Sequence, residues 1–262
     1  GGIISSAEDM IKWMQFQLNN GINGDDTLFT RREQTTMWTP HVNYPISDRA
    51  REVYGGRNFN GYGLGWGTTE YHGKQMVSHT GGYDGMYSAV TMLPTEKIGV
   101  VILTNTMDGI GTLLSYEIID RLLGLPQQDW KNRGINQDKG HWADRAARIK
   151  ERTDARIMGT KPSMDVVAIS GLYRCPLFGD IRILEENGKL TIDFVHSPQL
   201  KARLSHWHND TYQLEWLEEQ AWFEFGTVQI QMNNSGKPSG LLFDVPNDDI
   251  FFEEIKAVRV TP

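Results

Sequence analysis

The sequence predicts an α+β protein in two parts: helices packed with antiparallel strands, then a small antiparallel β-barrel. Three observations support this. Apolar residues recur at helical spacing over 7–19 and 110–123, with strand-like runs between them. From residue 167 onward, short alternating segments replace the helical pattern. Between the halves lies a basic stretch: residues 126–160 have a net charge of +3, against −4 for 1–125 and −6 for 161–262. A charge shift of that kind marks a connector. The expected domains are therefore 1–125, a helix-bearing linker at 126–166, and a barrel domain at 167–262.

The first helix is expected at 7–19. Ser6 is its N-cap, with Asp9 three residues on. Glu8 and Asp9 suit the positive end of the helix dipole. Met10, Ile11, Met14 and Leu18 form the apolar stripe, and Asn19-Asn20-Gly21 ends it. A second helix runs from Thr30 to Met37, closed by Pro40. Residues 41–60 lack periodicity and read as a long loop. Gly61–Gly67 alternates glycine with large apolar residues and reads as a strand approached closely on its glycine face. Further strands are expected at Gln75–Thr80, Gly85–Leu93 and Ile98–Thr104. The uniformly apolar Ile98–Leu103 predicts burial on both faces. A helix over 110–123 carries Leu113, Leu114, Ile118 and Leu122, and Gly124 and Pro126 stop it. In the connector, Trp142–Ile157 reads as a solvated spacer helix with i,i+4 pairs Asp144/Arg148 and Lys150/Asp154.

The second half is read as all β. Gly171-Leu172-Tyr173 opens it, and Asn187-Gly188 between apolar alternations is a hairpin signal. Alternating stretches at 200–207, 211–217, 221–225, 227–232, 239–245 and 250–255 bring the total to about eight short strands. Closing them into a barrel removes their edges.

Composition excludes several functions. Net charge is −7 with a pI of about 5.5, against nucleic acid or an anionic membrane as main partner. Mean hydropathy is −0.45 and no apolar run reaches the length of a membrane span. One cysteine, Cys175, rules out an internal disulfide framework and cysteine-cluster metal sites. His206-Trp207-His208 places two imidazoles on one strand face, but no third ligand is evident, so neither a metal nor another cofactor is expected. Tyr173, Phe178, Trp207, Trp216, Trp222 and Phe223 could line a ligand cavity; core packing is the better reading.

The stretch that organises the first half is Met76-Val77-Ser78-His79-Thr80-Gly81-Gly82-Tyr83. A strand-like run meets an imidazole and a hydroxyl, then two glycines that permit close backbone approach. The pattern suits a sheet edge that holds a substrate and aims N–H groups at a developing oxyanion. A plain strand ending in a Gly-rich turn fits the same residues.

With its flanks, this stretch resembles the serine β-lactamase-related family of class C β-lactamases, DD-peptidases and esterase relatives. Gly1–Met10 is similar to the family's "AGG-hydrophobic-hydrophobic-S-T-x-x-D" helix entry, Tyr62–Trp66 to its "YGLGW", His79-Thr80-Gly81-Gly82 to its third active-site motif, and Ile98–Asn105 to the strand ending in "TN". The resemblance implies the C-terminal part of a β-lactamase/transpeptidase-like domain over 1–125. It implies an oxyanion-donating N–H at Gly82, a hydrogen-bonding hydroxyl at Thr80, supporting polarity at His79, and substrate contacts at Gly81 and Tyr83. A histidine carries less charge near neutral pH than the lysine often found there, which tilts the expectation toward esterase or peptidase. Gly171–Tyr173, Phe178-Gly179, Asn187–Leu190 and Leu204–Trp207 resemble the lipocalin-like domain often appended to these enzymes.

The family's nucleophile lies in Ser-x-x-Lys and its base in Tyr-x-Asn or Tyr-x-Ser. No Ser-x-x-Lys occurs in this sequence, and Tyr44-Pro45-Ile46 and Tyr87-Ser88-Ala89 do not fit the second motif. The expectation is thus a portion of a serine hydrolase acting on a β-lactam, peptide or ester, inactive alone. Its expected partners are that small-molecule or peptide substrate and a second copy of the chain, through exposed sheet or apolar surface; a partly disordered first domain over 1–125 is the other expectation. The family implies a periplasmic or extracellular location. A ligand-binding or regulatory module built on the barrel is the alternative.

Overall fold

Ser6 begins the first helix as its capping residue should: its Oγ accepts the Asp9 N–H at 3.2 Å, and α1 follows over Ala7–Leu18. The computed structural model describes residues 2–83, 85–107, 109–220, 222–248 and 250–260. The chain divides into two units, Gly1–Lys139 and Gly140–Pro262.

In the first unit, a two-stranded ribbon of β1 (Ile22–Asn23) and β2 (Asp26–Thr27) leads to α2 (Arg31–Trp38). A capping box starts α2: Thr30 N–H donates to Glu33 Oε2 at 2.6 Å and Glu33 N–H to Thr30 Oγ1 at 3.3 Å. The region expected to be loop contains β3 (Val42–Asn43) and α3 (Asp48–Val53). Six helical residues are too few to show a period, although Ser47 caps them by accepting the Ala50 N–H at 3.2 Å.

The expected strand at Gly61–Gly67 is a hairpin instead. Its arms are β4 (Asn60–Tyr62) and β5 (Gly67–Tyr71), and Gly63 N–H donates to Trp66 O at 2.7 Å across the turn. Gly65 takes φ +76°, which only glycine adopts readily. The expected close approach is real at Gly63, where the Met37 carbonyl oxygen fills the place of a Cβ.

β6 (Lys74–Tyr83), β7 (Met86–Leu93) and β8 (Ile98–Thr104) complete an antiparallel sheet in the order β3-β4-β5-β6-β7-β8. Val77, Val90 and Met92 pack with Met14 and Trp38 on one face. Met76, Leu93 and Val100 pack on the other with Leu113, Tyr116 and Ile119 of α4 (Ile110–Leu123). Each such buried side chain contributes about 1.5–3 kcal/mol. Burial of β8 on both faces does not hold along its length: Val100 is buried, but Leu103 is 42% exposed. β8 ends the sheet, and its coverage thins toward that end.

α5 (Trp130–Asp154) starts well before the expected Trp142. Its first residue is anchored by packing rather than by helical periodicity: the Trp130 ring stacks on Tyr116 and Tyr54 at 4.9 and 5.9 Å. Trp130 also joins a buried polar cluster. Asp120, 1% exposed, accepts the Tyr71 hydroxyl and the Trp130 Nε1–H, the latter at 2.7 Å. Beside it, Arg57 donates to the Glu70 carbonyl at 3.1 Å and to Tyr116 Oη at 3.3 Å, with its guanidinium 4.0 Å above the Tyr54 ring.

The second unit contains the C-terminal part of α5, a short α6 (Val166–Ile169) and eight strands: β9 (Gly171–Cys175), β10 (Gly179–Glu186), β11 (Lys189–Phe194), β12 (Lys201–His208), β13 (Thr211–Trp216), β14 (Thr227–Met232), β15 (Pro238–Asp244) and β16 (Ala257–Arg259). They form a closed antiparallel barrel, sealed by β16 pairing with β9. The Asn187-Gly188 hairpin is as expected, both residues with positive φ.

Two strand expectations fail here. Residues 222–225 are irregular (221 lies outside the described residues), and 250–255 contains a 3₁₀ turn at Phe252–Glu254. Their aromatics close the barrel core instead of pairing: Phe223 and Phe252 lie 5.0 Å apart, and Trp216 lies 4.8 Å from Phe223. Phe178, 39% exposed, stays outside that cluster.

The solvated-spacer reading of the connector helix also needs correction. Within the second unit, Arg148 pairs with Asp248 at 2.8 Å and Arg152 with Asp244 at 2.9 Å, so this helix segment is docked on the barrel. Lys150–Asp154 forms at 2.6 Å as expected. Among the described residues, no helix is long and apolar enough to cross a membrane.

Candidate active site

The stretch from His79 to Tyr83 lies at the far end of β6. β7 pairs with it throughout, from Val77 opposite Met92 to Tyr83 opposite Met86. β5 does not: its ladder stops at Gly67 opposite Ser78, where the hairpin turns away. His79, Thr80, Gly81, Gly82 and Tyr83 therefore form one extended segment, exposed and paired along one side only. In an antiparallel strand, alternate residues turn both backbone polar groups to the same side. Among the described residues no strand pairs with the open side, to which alternate residues turn their N–H and C=O groups.

The glycines are inside the strand. The turn comes only after Tyr83, and Gly85 takes φ +86° there. The reading of a strand ending at a Gly turn is thereby corrected. A Cβ on Gly81 would stand 3.0 Å from Ser88 Oγ, which itself donates to the Gly81 carbonyl at 3.3 Å. The backbone here is paired with β7 on one side and, among the described residues, with no strand on the other.

His79 gains a partner the sequence did not reveal. Its Nε2 lies 2.9 Å from Tyr62 Oη, with the two rings 6.0 Å apart. Either group can donate, depending on the imidazole tautomer. In the sequence Tyr62 was legible as part of a Gly-rich strand and of the "YGLGW"-like motif, but not as a partner of His79. Seeing that Gly63–Trp66 is a turn would have shown that Tyr62 flanks β5 and sits near the end of β6.

The other candidates are structural. A β-bulge lies between His206 and His208, which breaks the alternation that would put both rings on one face. His206 Nε2 is 2.9 Å from the Asn209 carbonyl, and His208 Nδ1 accepts the Ile157 N–H at 3.2 Å. Among the described residues no cluster of three potential metal ligands occurs. Cys175 is 3% exposed within the barrel core.

The sheet flanked by α1 and α4, with its open-edged His-Thr-Gly-Gly strand, lies in the part of the chain that is similar to the serine β-lactamase-related class. Residues 1–122 match the Beta-lactamase family model, and residues 155–259 match that of a domain of unknown function (DUF3471). The unguisins hydrolase ungD of Aspergillus violaceofuscus (strain CBS 115571) is 41% identical over 71 residues, 26% of this chain and 12% of that protein. The unguisins hydrolase ungD' of Aspergillus campestris (strain IBT 28561) is 26% identical over 136 residues, 50% of this chain and 24% of that protein. The matched region is thus a quarter or less of each relative's length. Among solved structures, the octameric penicillin-binding protein homologue from Pyrococcus abyssi is 14% identical with a TM-score of 0.41, over 97% of this chain and 47% of that one.

Proposed function

We propose that the first unit supplies one wall of the acyl-transfer site of a serine hydrolase. The observation that carries the proposal is the open edge of β6 over His79–Tyr83, within the segment matched to the Beta-lactamase family. A substrate acyl group lies along this edge. The Gly82 N–H donates to the carbonyl oxygen as negative charge develops on it; one such donor typically lowers the barrier by about 3–4 kcal/mol. Thr80 offers its hydroxyl to a polar substituent of the substrate. His79, held by Tyr62, orients a hydrogen bond at the entrance, and Gly81 and Tyr83 border the bound chain. The nucleophile and its base come from residues not found in this sequence, which has no Ser-x-x-Lys. The chain alone therefore does not turn substrate over.

The test has two arms. This chain is assayed with p-nitrophenyl acetate and nitrocefin; turnover above buffer would show that it holds a complete site. The chain is then fused behind a β-lactamase-type segment carrying Ser-x-x-Lys and the second motif. Hydrolysis should appear, with p-nitrophenyl acetate favoured over nitrocefin, and should fall at least tenfold in His79→Ala. A folded, active fusion indifferent to His79→Ala and to proline at Gly82 would overturn the assignment.

A further inference from the structure

The two ring nitrogens of His79 stand in different surroundings. Nε2 lies 2.9 Å from Tyr62 Oη, whereas Nδ1 has no hydrogen-bond partner among the described residues, and the side chain is exposed. Among those residues Tyr62 is the titratable group in contact with the imidazole. The fold sets where that phenol sits. Tyr62 ends β4 opposite Gly67 of β5, and its carbonyl accepts the His41 N–H at 2.8 Å. The next residue, Gly63, donates to Trp66 O at 2.7 Å, with the Met37 carbonyl oxygen in the place of a Cβ. The hydroxyl is thus brought to His79 by a braced turn.

With a neutral imidazole, two arrangements give this contact: the phenol O–H donates to Nε2, or Nε2–H donates to the phenol oxygen. Acid–base chemistry favours the first. A phenol O–H is a ready donor and its oxygen a weak base, whereas a free imidazole nitrogen binds a proton near about pH 6.5. The hydrogen bond at one ring nitrogen decides which nitrogen keeps the proton. With Nε2 accepting, the proton sits on Nδ1.

We propose that Tyr62 is a positioning residue that fixes His79 in the Nδ1–H tautomer, so that the imidazole offers one N–H donor to an uncharged acceptor, such as an ester or amide carbonyl oxygen, at the open edge. The use of that donor in hydrolysis rests on the acyl-transfer reading; the tautomer does not. One consequence is that the donor survives a change of protonation. When the ring gains a proton, Nε2–H donates to Tyr62 Oη and Nδ1 keeps its hydrogen. Without the hydroxyl, a neutral ring places its single proton on either nitrogen. The donor at Nδ1 is then partly lost, but only above the pH range in which imidazole is charged.

Long-range ¹H–¹⁵N spectra of the ¹⁵N-labelled chain at about pH 8.5, where an ordinary imidazole is neutral, read the tautomer directly. The His79 signals are identified by their loss in His79→Ala. Nδ1 should show the shift of a protonated ring nitrogen and Nε2 that of an unprotonated one. In Tyr62→Phe, which removes only the hydroxyl, Nε2 should move toward the protonated shift. In the fusion carrying Ser-x-x-Lys, kcat/KM of Tyr62→Phe relative to the parent should fall about two- to tenfold at about pH 8.5, the worth of one hydrogen bond, and return toward the parent at about pH 5.5. The proposal is overturned if Nε2 carries the proton in the parent chain, a result that needs no Tyr62 variant. It is equally overturned if the folded Tyr62→Phe chain keeps the same tautomer, or if the loss in the fusion is the same at both pH values, as a merely structural role would give. An inactive fusion would count against the acyl-transfer reading alone, and the spectra of the chain would still decide the tautomer.

Discussion

Replacing Asp120 tests whether the polar cluster under the sheet stabilises the first unit. The carboxylate is 1% exposed and accepts two donors, the Tyr71 hydroxyl and the Trp130 indole. Asp120→Leu leaves both without an acceptor in a site closed to water. Each orphaned buried group costs about 1–3 kcal/mol, so the variant should lose about 2–6 kcal/mol. Asp120→Asn keeps one acceptor and should lose about 1–3 kcal/mol. Removing the charge works in the opposite direction, because a buried carboxylate is costly to desolvate. The two effects separate in a cycle: adding Tyr71→Phe to Asp120→Leu deletes one orphan and should recover about 1–3 kcal/mol. Urea denaturation followed by tryptophan fluorescence measures these differences, with Trp130 reporting from inside the cluster. If Asp120→Leu stays within about 0.5 kcal/mol of the parent chain, or if Tyr71→Phe restores nothing, the cluster is not a stabilising element.

Burial raises the pKa of Tyr71, Tyr116, Tyr173 and Tyr212, and the Asp120 carboxylate adds to the effect at Tyr71. These hydroxyls stay protonated in the folded chain while the unfolded chain ionises near pH 10, so their stabilisation is complete below about pH 10 and lost above it. Each contributes a slope of up to about 1.4 kcal/mol per pH unit. Urea midpoints should fall between about pH 9 and pH 11 and fall less in Tyr71→Phe; equal midpoints would refute this. Gly63→Ala should destabilise the first unit by about 1–3 kcal/mol, because its methyl would collide with the Met37 backbone carbonyl; an unchanged melting temperature would count against that packing. The outer edge of β8 ends the sheet, and open edges recruit strands, so the chain should sediment as a dimer that charged substitutions at Leu103 weaken. A monomer at all concentrations would contradict this.

Much of the architecture was legible because the signals were local. Ser6, Thr30 and Asn187-Gly188 each fix an element through their immediate neighbours, and the structure keeps all three. The misreadings came where distant contacts decide. At the start of α5 the local signal is a single capping residue, Asp129, which accepts the Asn132 N–H at 3.1 Å, and the Trp130 ring is held from afar by Tyr54 and Tyr116. Gly61–Gly67 alternates like a strand, yet the Met37 carbonyl accepts the Leu64 N–H at 2.9 Å and holds it as a turn. Phe223 and Phe252 lie in aromatic-rich stretches that read as strands but are spent on closing the barrel. For the site, the residues from His79 to Tyr83 were evident as a motif. What the sequence could not give was the point at which β5 stops pairing, because that depends on the hairpin. Tyr62 was hidden for the same reason.

The truncated ladder between β5 and β6 has a genetic consequence. An open strand edge presents main-chain atoms, which every amino acid carries alike. Side-chain replacements at Gly81 or Gly82 alter bulk but leave each amide hydrogen where it was. An alanine scan would therefore under-report this surface. Proline alone among the common residues deletes an amide donor, so a proline scan over His79–Tyr83 would reveal which positions point outward. For the same reason, sequence drift can rework the surroundings of this edge while the edge itself persists.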